Sequence, residues 1–218
     1  GINGVEGVFV GNMMSGSANR QQQLGALIAD WIGVRYANAM RLESACSSGA
    51  AAFRSALMAV ASGMMDVALA VGVEKMTDSP TDEITAELAT AADADWESLQ
   101  GVSFVALNAL IMRRYMHEYG WRHEDFANFS ITAHANASKN PNARLRSAIT
   151  LKDYLNAGMI TPPINLMDAS SIGDGAAAAV LAPVEALNRF PQTKAVKVVG
   201  SGAATDTIAI HSRKDPLW

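Results

Sequence analysis

The segment from Arg41 to Phe53, "RLESACSSGAAAF", holds the only cysteine among 218 residues. A thiol becomes a strong nucleophile once ionised, and its ordinary pKa of about 8.5 falls where the sulfur faces the N-terminal end of a helix. The small residues after Cys46 read as such a helix start, whose unpaired N–H groups carry roughly half a positive charge and favour thiolate over thiol. Ser47 and Ser48 are placed to cap that helix. Gly49, Ala50, Ala51 and Ala52 keep its first turn slim enough for another backbone, or a flat ligand, to approach. The logic is that of the strand–nucleophile–helix turn of serine hydrolases. The segment alone fits a second account better, in which a lone cysteine in an alanine-rich stretch is a small buried hydrophobe.

Other side chains able to do chemistry are sparse. His117, His123, His134 and His211 fall on helices or in the tail, outside any glycine-rich His-Pro motif, where structural roles suit them. Lys139, Arg144 and Arg146 could meet phosphate groups. Their spacing fits no phosphate-cradling loop, and a solvated face is the plainer reading.

The elements that must position Cys46 can be read around it. Val8 to Val10, bounded by glycines, forms a strand, and Leu24, Leu27, Ile28 and Trp31 recur at helical spacing over Gln21 to Ile32, with Gly33 at the C-cap. Asn38 to Glu43 returns to the sheet. A helix after Cys46 puts Phe53, Ala56, Leu57, Val60, Ala61 and Met64 on one face, with Gly63 near its end, and Val67 to Val71 is the next strand. Strand alternating with helix argues an α/β fold with a mostly parallel sheet covered by helices. Further on, Val102 to Glu118 and Glu124 to Ser138 read as helices, with a short one at Leu151 to Asn156. "DGAAAAVLAP" reads as a strand of very small residues, with Ala195 to Val199 as its hairpin neighbour after a short helix. Between Thr77 and Gln100 the pattern lapses into a stretch with seven carboxylates and no basic residue, read as a solvated surface excursion or a docking loop.

The composition excludes several classes. A net charge of −4 gives no electrostatic footprint for nucleic acid or an anionic membrane. The longest apolar run, Ala176 to Ala182, is far short of the ~20 residues a membrane span needs. One cysteine makes neither an internal disulfide nor a multi-thiolate metal site. The expectation is a soluble, cytoplasmic protein without a metal, whose partners are small molecules or other protein chains.

Taken together, "ESACSSGAAAF" and a strand ending in "VGVEKMTD" resemble the nucleophile helix and the Gly-x-Glu-x-Met-Ser/Thr turn of the thiolases. "GNMMSGSANRQQQLGALIAD" upstream and "SSIGDGAAAAVLAP" downstream agree in order and spacing, the latter with the family's Ser-x-x-Asp-Gly-Ala-Ala-Ala strand. "GVSFVALNALIMRRYMHEYG" and "HANASKNPNARLR" resemble the branch related to the sterol-carrier-protein thiolases and their archaeal acetyl-CoA acetyltransferase relatives. The resemblance implies a thiolase-like fold over residues 1–218, as an N-terminal half lacking its first strand and helix, with both ends of the chain cut.

For function, the resemblance implies an acyltransferase in which Cys46 takes an acyl group from acyl-CoA, for carbon–carbon bond formation or for thiolytic cleavage of a 3-oxoacyl-CoA. It places Ser170, with Ala169 beside it, along the pantetheine arm, and adds His134 to the CoA-binding set. Coenzyme A enters as a thioester substrate, with no separate cofactor. The family's general-base histidine, second cysteine and oxyanion motif belong to a C-terminal half not found in this sequence, so these residues alone should be inactive. Self-association as a dimer or tetramer is implied, and a partner protein is compatible. Two rivals share the fold: a 3-oxoacyl synthase, and a non-catalytic CoA-binding or docking subunit.

Overall fold

The computed structural model describes residues 4–190 and 194–217, the side chain of Leu187 excepted. In chain order the elements are β1 (Gly7–Gly11), α1 (Leu24–Trp31), β2 (Asn38–Leu42), α2 (Ser48–Ala61), β3 (Ala68–Glu74), α3 (Thr81–Ala89), α4 (Phe104–Tyr119), α5 (Ala127–Ala137), α6 (Leu151–Leu155), β4 (Met159–Thr161), β5 (Ile164–Asn165) and β6 (Gly175–Leu181). They fall into two units, Gly1–Pro80 with Asp174–Ala204, and Thr81–Gly173 with Thr205–Trp218.

The first unit is built on a four-stranded sheet in the order β2-β1-β3-β6. β1 pairs in parallel with β2 and β3, and β6 runs antiparallel to β3 from Ala68↔Leu181 to Glu74↔Gly175. All five residues of β1 are buried, so its sequence shows a continuous apolar run rather than alternation. Phe9 of β1 and Ala68 and Ala70 of β3 turn to one face, where they meet Ala52 and Ala56 of α2. Val8 and Val10 turn to the other, against Ala29 of α1 and Val34. Both valines are fully buried, each worth roughly 1.5–3 kcal/mol of burial. Helices thus cover both faces of a mixed, mostly parallel sheet, as the alternation of elements implies.

Gly33 ends α1 as the spacing predicts. Its φ is +76°, its N–H donates to the Asp30 carbonyl (3.0 Å), and the next N–H, of Val34, donates to the Ala29 carbonyl (2.9 Å). These are the paired bonds of a Schellman motif, which requires a left-handed residue where glycine sits.

One expectation fails in this unit. Ala195 to Val199 form no strand beside β6, and Val196 and Val199 are each 89% exposed. Alternating valine and lysine supply strand propensity, but propensity acts through a packed face, which these residues lack.

The second unit is mainly helical. Ser103 caps α4 by accepting the Ala106 N–H (3.2 Å), and Gly120, with φ +67°, closes it. A single 3-10 turn, His123–Phe126, precedes α5, so the helix expected from Glu124 begins as a tighter turn and becomes α-helical at Ala127. Trp121 and Phe126 meet edge to face at 5.0 Å, both against Tyr115 of α4. Thr150 and Asp153 cap α6 reciprocally: the threonine hydroxyl oxygen accepts the Asp153 N–H, and the carboxylate accepts the Thr150 N–H. A two-strand ribbon, β4–β5, follows.

The acidic stretch after Thr77 contains an element that its composition hides. α3 occupies Thr81–Ala89, with Ile84 fully buried and Ala89 and Ala92 nearly so. Glu97 is itself 5% exposed, and its carboxylate accepts the N–H groups of Asp93 (3.1 Å) and Ile210 (2.7 Å). The inward face has few apolar side chains, Ile84, Ala89 and Ala92, so the carboxylates dominate the sequence pattern. Among the described residues no helix is long and apolar enough to cross a membrane.

Candidate active site

Cys46 lies just beyond the C-terminal end of β2, in a single 3-10 turn, Ala45–Ser47, that runs directly into α2 at Ser48. Ala45 takes φ +45°, a left-handed conformation strained for any residue with a Cβ. The chain thus makes a sharp strand-to-helix bend with the cysteine at its apex. Cys46 is exposed, so it fills no part of the core that these residues form.

Ser47 and Ser48 do a different job from the one their sequence suggests. Neither Ser47 nor Ser48 caps α2 with its side chain. Ser47 Oγ donates back to the Ser44 carbonyl (2.7 Å), while Ser48 Oγ donates to the Ala45 carbonyl (2.7 Å) and accepts the Ser44 N–H (2.8 Å). They lock the turn around Cys46 from within. The first-turn N–H groups of α2 therefore keep their partial positive charge uncompensated by a capping side chain.

The strands behind the turn are held just as tightly. A Cβ on Gly11, the last residue of β1, would stand 2.2 Å from the Ser48 carbonyl oxygen, so only glycine lets α2 begin where it does. Glu74, at the end of β3, accepts from Asn12 Nδ2 (2.8 Å) and from the N–H groups of Met13 (2.9 Å) and Met14 (3.1 Å). Asn12 Nδ2 also donates to the Val73 carbonyl (2.9 Å), and Arg41 of β2 donates to Ser15 Oγ (3.1 Å). The carboxyl ends of β1, β2 and β3 are knitted into one rim, the place where open α/β sheets put their ligand sites. Asp174 anchors the turn after β3, its carboxylate accepting the Met76 and Thr77 N–H groups (2.7 and 3.0 Å) and the Thr77 hydroxyl (2.6 Å). The Thr77 hydroxyl and the two backbone donors hold its carboxyl below the usual carboxylate range.

The remaining sequence-derived site residues belong to the second unit, and each is described there. His134 is on the last turn of α5, its Nδ1–H directed at the Ser147 carbonyl (3.1 Å). Ala169 and Ser170 follow a turn at Asn165–Asp168, with Ala169 half-buried and Ser170 exposed. Lys139, Arg144, Arg146, His117 and His211 are exposed, His211 against the ring of Trp96.

Beside Ser170 lies a polar cluster that sequence reasoning missed. Asp168 Oδ1 accepts the Tyr154 hydroxyl (2.9 Å) and the Ser130 hydroxyl (3.2 Å), and its Oδ2 accepts the Asn165 N–H (2.9 Å). His123 Nε2 lies 3.6 Å from Oδ2, and the His123 ring stacks on Tyr154 with centroids 4.8 Å apart. Burial, and then the bond to Asp168, push the Tyr154 hydroxyl well above its ordinary pKa, so it remains a donor. The residues are scattered along the chain, and no local spacing announces them.

Residues 2–185 match the family model described as "Thiolase, N-terminal domain". The acetyl-CoA acetyltransferase of Methanothermobacter thermautotrophicus is 43% identical across 97% of this chain and 56% of its own length. That of Methanocaldococcus jannaschii is 39% identical across 98% and 55%. The chain thus spans about half the length of these relatives. Among solved structures, the Ltp2-ChsH2(DUF35) aldolase shares the fold with a TM-score of 0.73 at 23% identity, covering 99% of this chain and 55% of that one. An acetyl-CoA acetyltransferase from Syntrophomonas wolfei does so with a TM-score of 0.65 at 16% identity, covering 88% and 56%. The ordered motifs, the sheet with helices on both faces and the family match agree, and the chain belongs to the thiolase family, within its N-terminal domain.

Proposed function

We propose that the full-length protein is a thiolase-type acyltransferase, with Cys46 as the acyl-accepting nucleophile and acyl-CoA as its substrate. The observation that carries this reading is the exposed sulfur at the apex of the Ala45–Ser47 turn, directly ahead of an α2 that no side chain caps. Two relatives named acetyl-CoA acetyltransferase, 43% and 39% identical to this chain, support it.

In this reading the Cys46 thiolate attacks the thioester carbonyl of an acyl-CoA. A carbon–sulfur bond forms to Cys46, the bond to CoA breaks, and CoA leaves as its thiolate to take up a proton. The Cys46 N–H, at the helix start, donates to the oxyanion of the tetrahedral intermediate. A second acyl-CoA, deprotonated beside its carbonyl, then attacks the Cys46 thioester through carbon and releases the cysteine; the reverse sequence is thiolytic cleavage. Cysteine suits both directions because its thiolate is a good nucleophile and a good leaving group. Ala169, Ser170 and His134 border the CoA arm, coenzyme A is substrate rather than resident cofactor, and the protein acts as a dimer or tetramer. Abstraction of the α-proton is assigned to the part of the relatives' length that this chain does not span.

Replacing Cys46 by alanine in the full-length protein tests the reading. Turnover of acetyl-CoA should fall by about a thousandfold or more while CoA still binds. Retained turnover, or a lost assembly with CoA chemistry intact, would reject it.

A further inference from the structure

We propose that Asp168 is a positioning residue for the Ala169–Ser170 segment: its partly buried carboxylate fixes the turn from which Ser170 reaches the CoA arm. The proposal rests on the reading above that Ser170 borders that arm.

The Asp168 side chain is only 14% exposed, and the groups that meet it come from four places in the second unit: Ser130 on α5, His123 on the turn before it, Tyr154 on α6 and Asn165 on β5. Tyr154 and Asn165 are fully buried. Asn165 closes the turn from inside, its Oδ1 accepting the N–H groups of Met167 (2.8 Å) and Asp168 (3.2 Å), while its Nδ2 donates to the Tyr154 carbonyl (2.8 Å). Residues 165–168 are thus fixed at both ends, with Asp168 as the last anchored residue before the exposed Ser170.

A carboxylate drawn partly out of water needs donors to offset its desolvation, and an apolar side chain would fill the same space without that demand. What the network supplies is one defined conformation, since each bond has a direction that apolar packing lacks. The segment that inherits this conformation is Ala169–Ser170. None of the anchoring side chains needs to touch substrate; they act through the turn.

The test uses the full-length protein with three single variants, Asp168→Asn, Tyr154→Phe and Ser170→Ala, and the double variant of Asp168→Asn with Ser170→Ala. CoA affinity is measured by titration calorimetry, and KM and kcat for acetyl-CoA by steady-state assay. Asp168→Asn cannot accept the Asn165 N–H through its amide nitrogen, and Tyr154→Phe removes one donor while keeping the ring. Each should raise KM and the CoA Kd about three- to tenfold, a fraction of the cost of one broken bond to a charged group, because the loss reaches CoA only through the turn. The kcat should stay within about twofold, as expected when ground-state and transition-state binding weaken together. The double variant should bind CoA more tightly than the product of the single effects predicts, because both changes act on one segment.

Unchanged CoA affinity in folded variants, multiplicative effects in the double variant, or a fall in kcat at constant KM would overturn the proposal. Should Asp168→Asn fail to fold, Tyr154→Phe decides alone. A wild-type protein that takes acetyl on Cys46, with variants whose CoA affinity is unaltered, refutes the positioning role only. A wild-type protein that binds no CoA refutes that role and the proposed function together.

Discussion

Gly11 and Ser48 meet so closely that a single added carbon on the glycine would lie 2.2 Å from the serine carbonyl oxygen. The end of the central strand is therefore the seat of the helix that follows Cys46, and the position of the sulfur depends on a hydrogen atom where other residues have a side chain.

Gly11→Ala should accordingly displace the start of α2. The expected loss is about 1–3 kcal/mol, typical of overpacking. In the full-length protein, thermal melting should report that loss, and the rate at which iodoacetamide labels Cys46 should change with it. An unchanged melting curve and labelling rate would show that the contact relaxes without moving the turn.

Glu74→Gln probes the rim from the β3 side. The carboxylate accepts three donors, from Asn12, Met13 and Met14, and a glutamine can present only one accepting oxygen to them. Leaving a partly buried N–H without its partner should cost about 1–3 kcal/mol. Denaturant unfolding of the two proteins compares them directly, and a difference near zero would mean that water takes over the lost bonds.

For Gly33→Ala, a Cβ would meet nothing within 4 Å, so any cost is backbone strain at φ +76°. About 1 kcal/mol is expected. A larger loss in the melting temperature than this implies would point to a packing role that the structure does not show.

Asp174 makes stability pH-dependent, and the sign follows from its depressed pKa. Its bonds to Thr77 and Met76 hold the charged form, so its contribution is present above the unfolded carboxyl value of about 3.9 and is lost as pH falls through the lower folded value. Melting temperatures of the wild type should drop more steeply below about pH 4 than those of Asp174→Asn. Parallel pH profiles would assign the acid sensitivity elsewhere.

Much of this architecture can be read from the sequence, for identifiable reasons. The first three strands and two helices were legible because a strand buried on both faces shows as an apolar run, and because Gly33 marks the end of α1. α3 is not legible because its inward residues, Ile84 and Ala89, are few among carboxylates. Ala195 to Val199 misled in the opposite sense, since residue type suggests a strand without revealing whether a face exists for it to cover.

At the site, the sequence identifies Cys46 but leaves its exposure open, and the fold decides it. The serines' inward bonding, the left-handed Ala45 and the Asp168 cluster depend on residues brought together by the chain's path. No periodicity encodes them. Glu74 and Asp174 sit within recognisable motifs, yet their partners, Asn12 and Thr77, become apparent only when β1, β3 and β6 lie side by side.

The most direct measurement is to incubate the full-length protein with acetyl-CoA carrying a labelled acetyl group, quench it, digest it and map the label. The account predicts a thioester on Cys46 that disappears when CoA is added back. Label on another residue, or none in a folded protein that binds CoA, would contradict it.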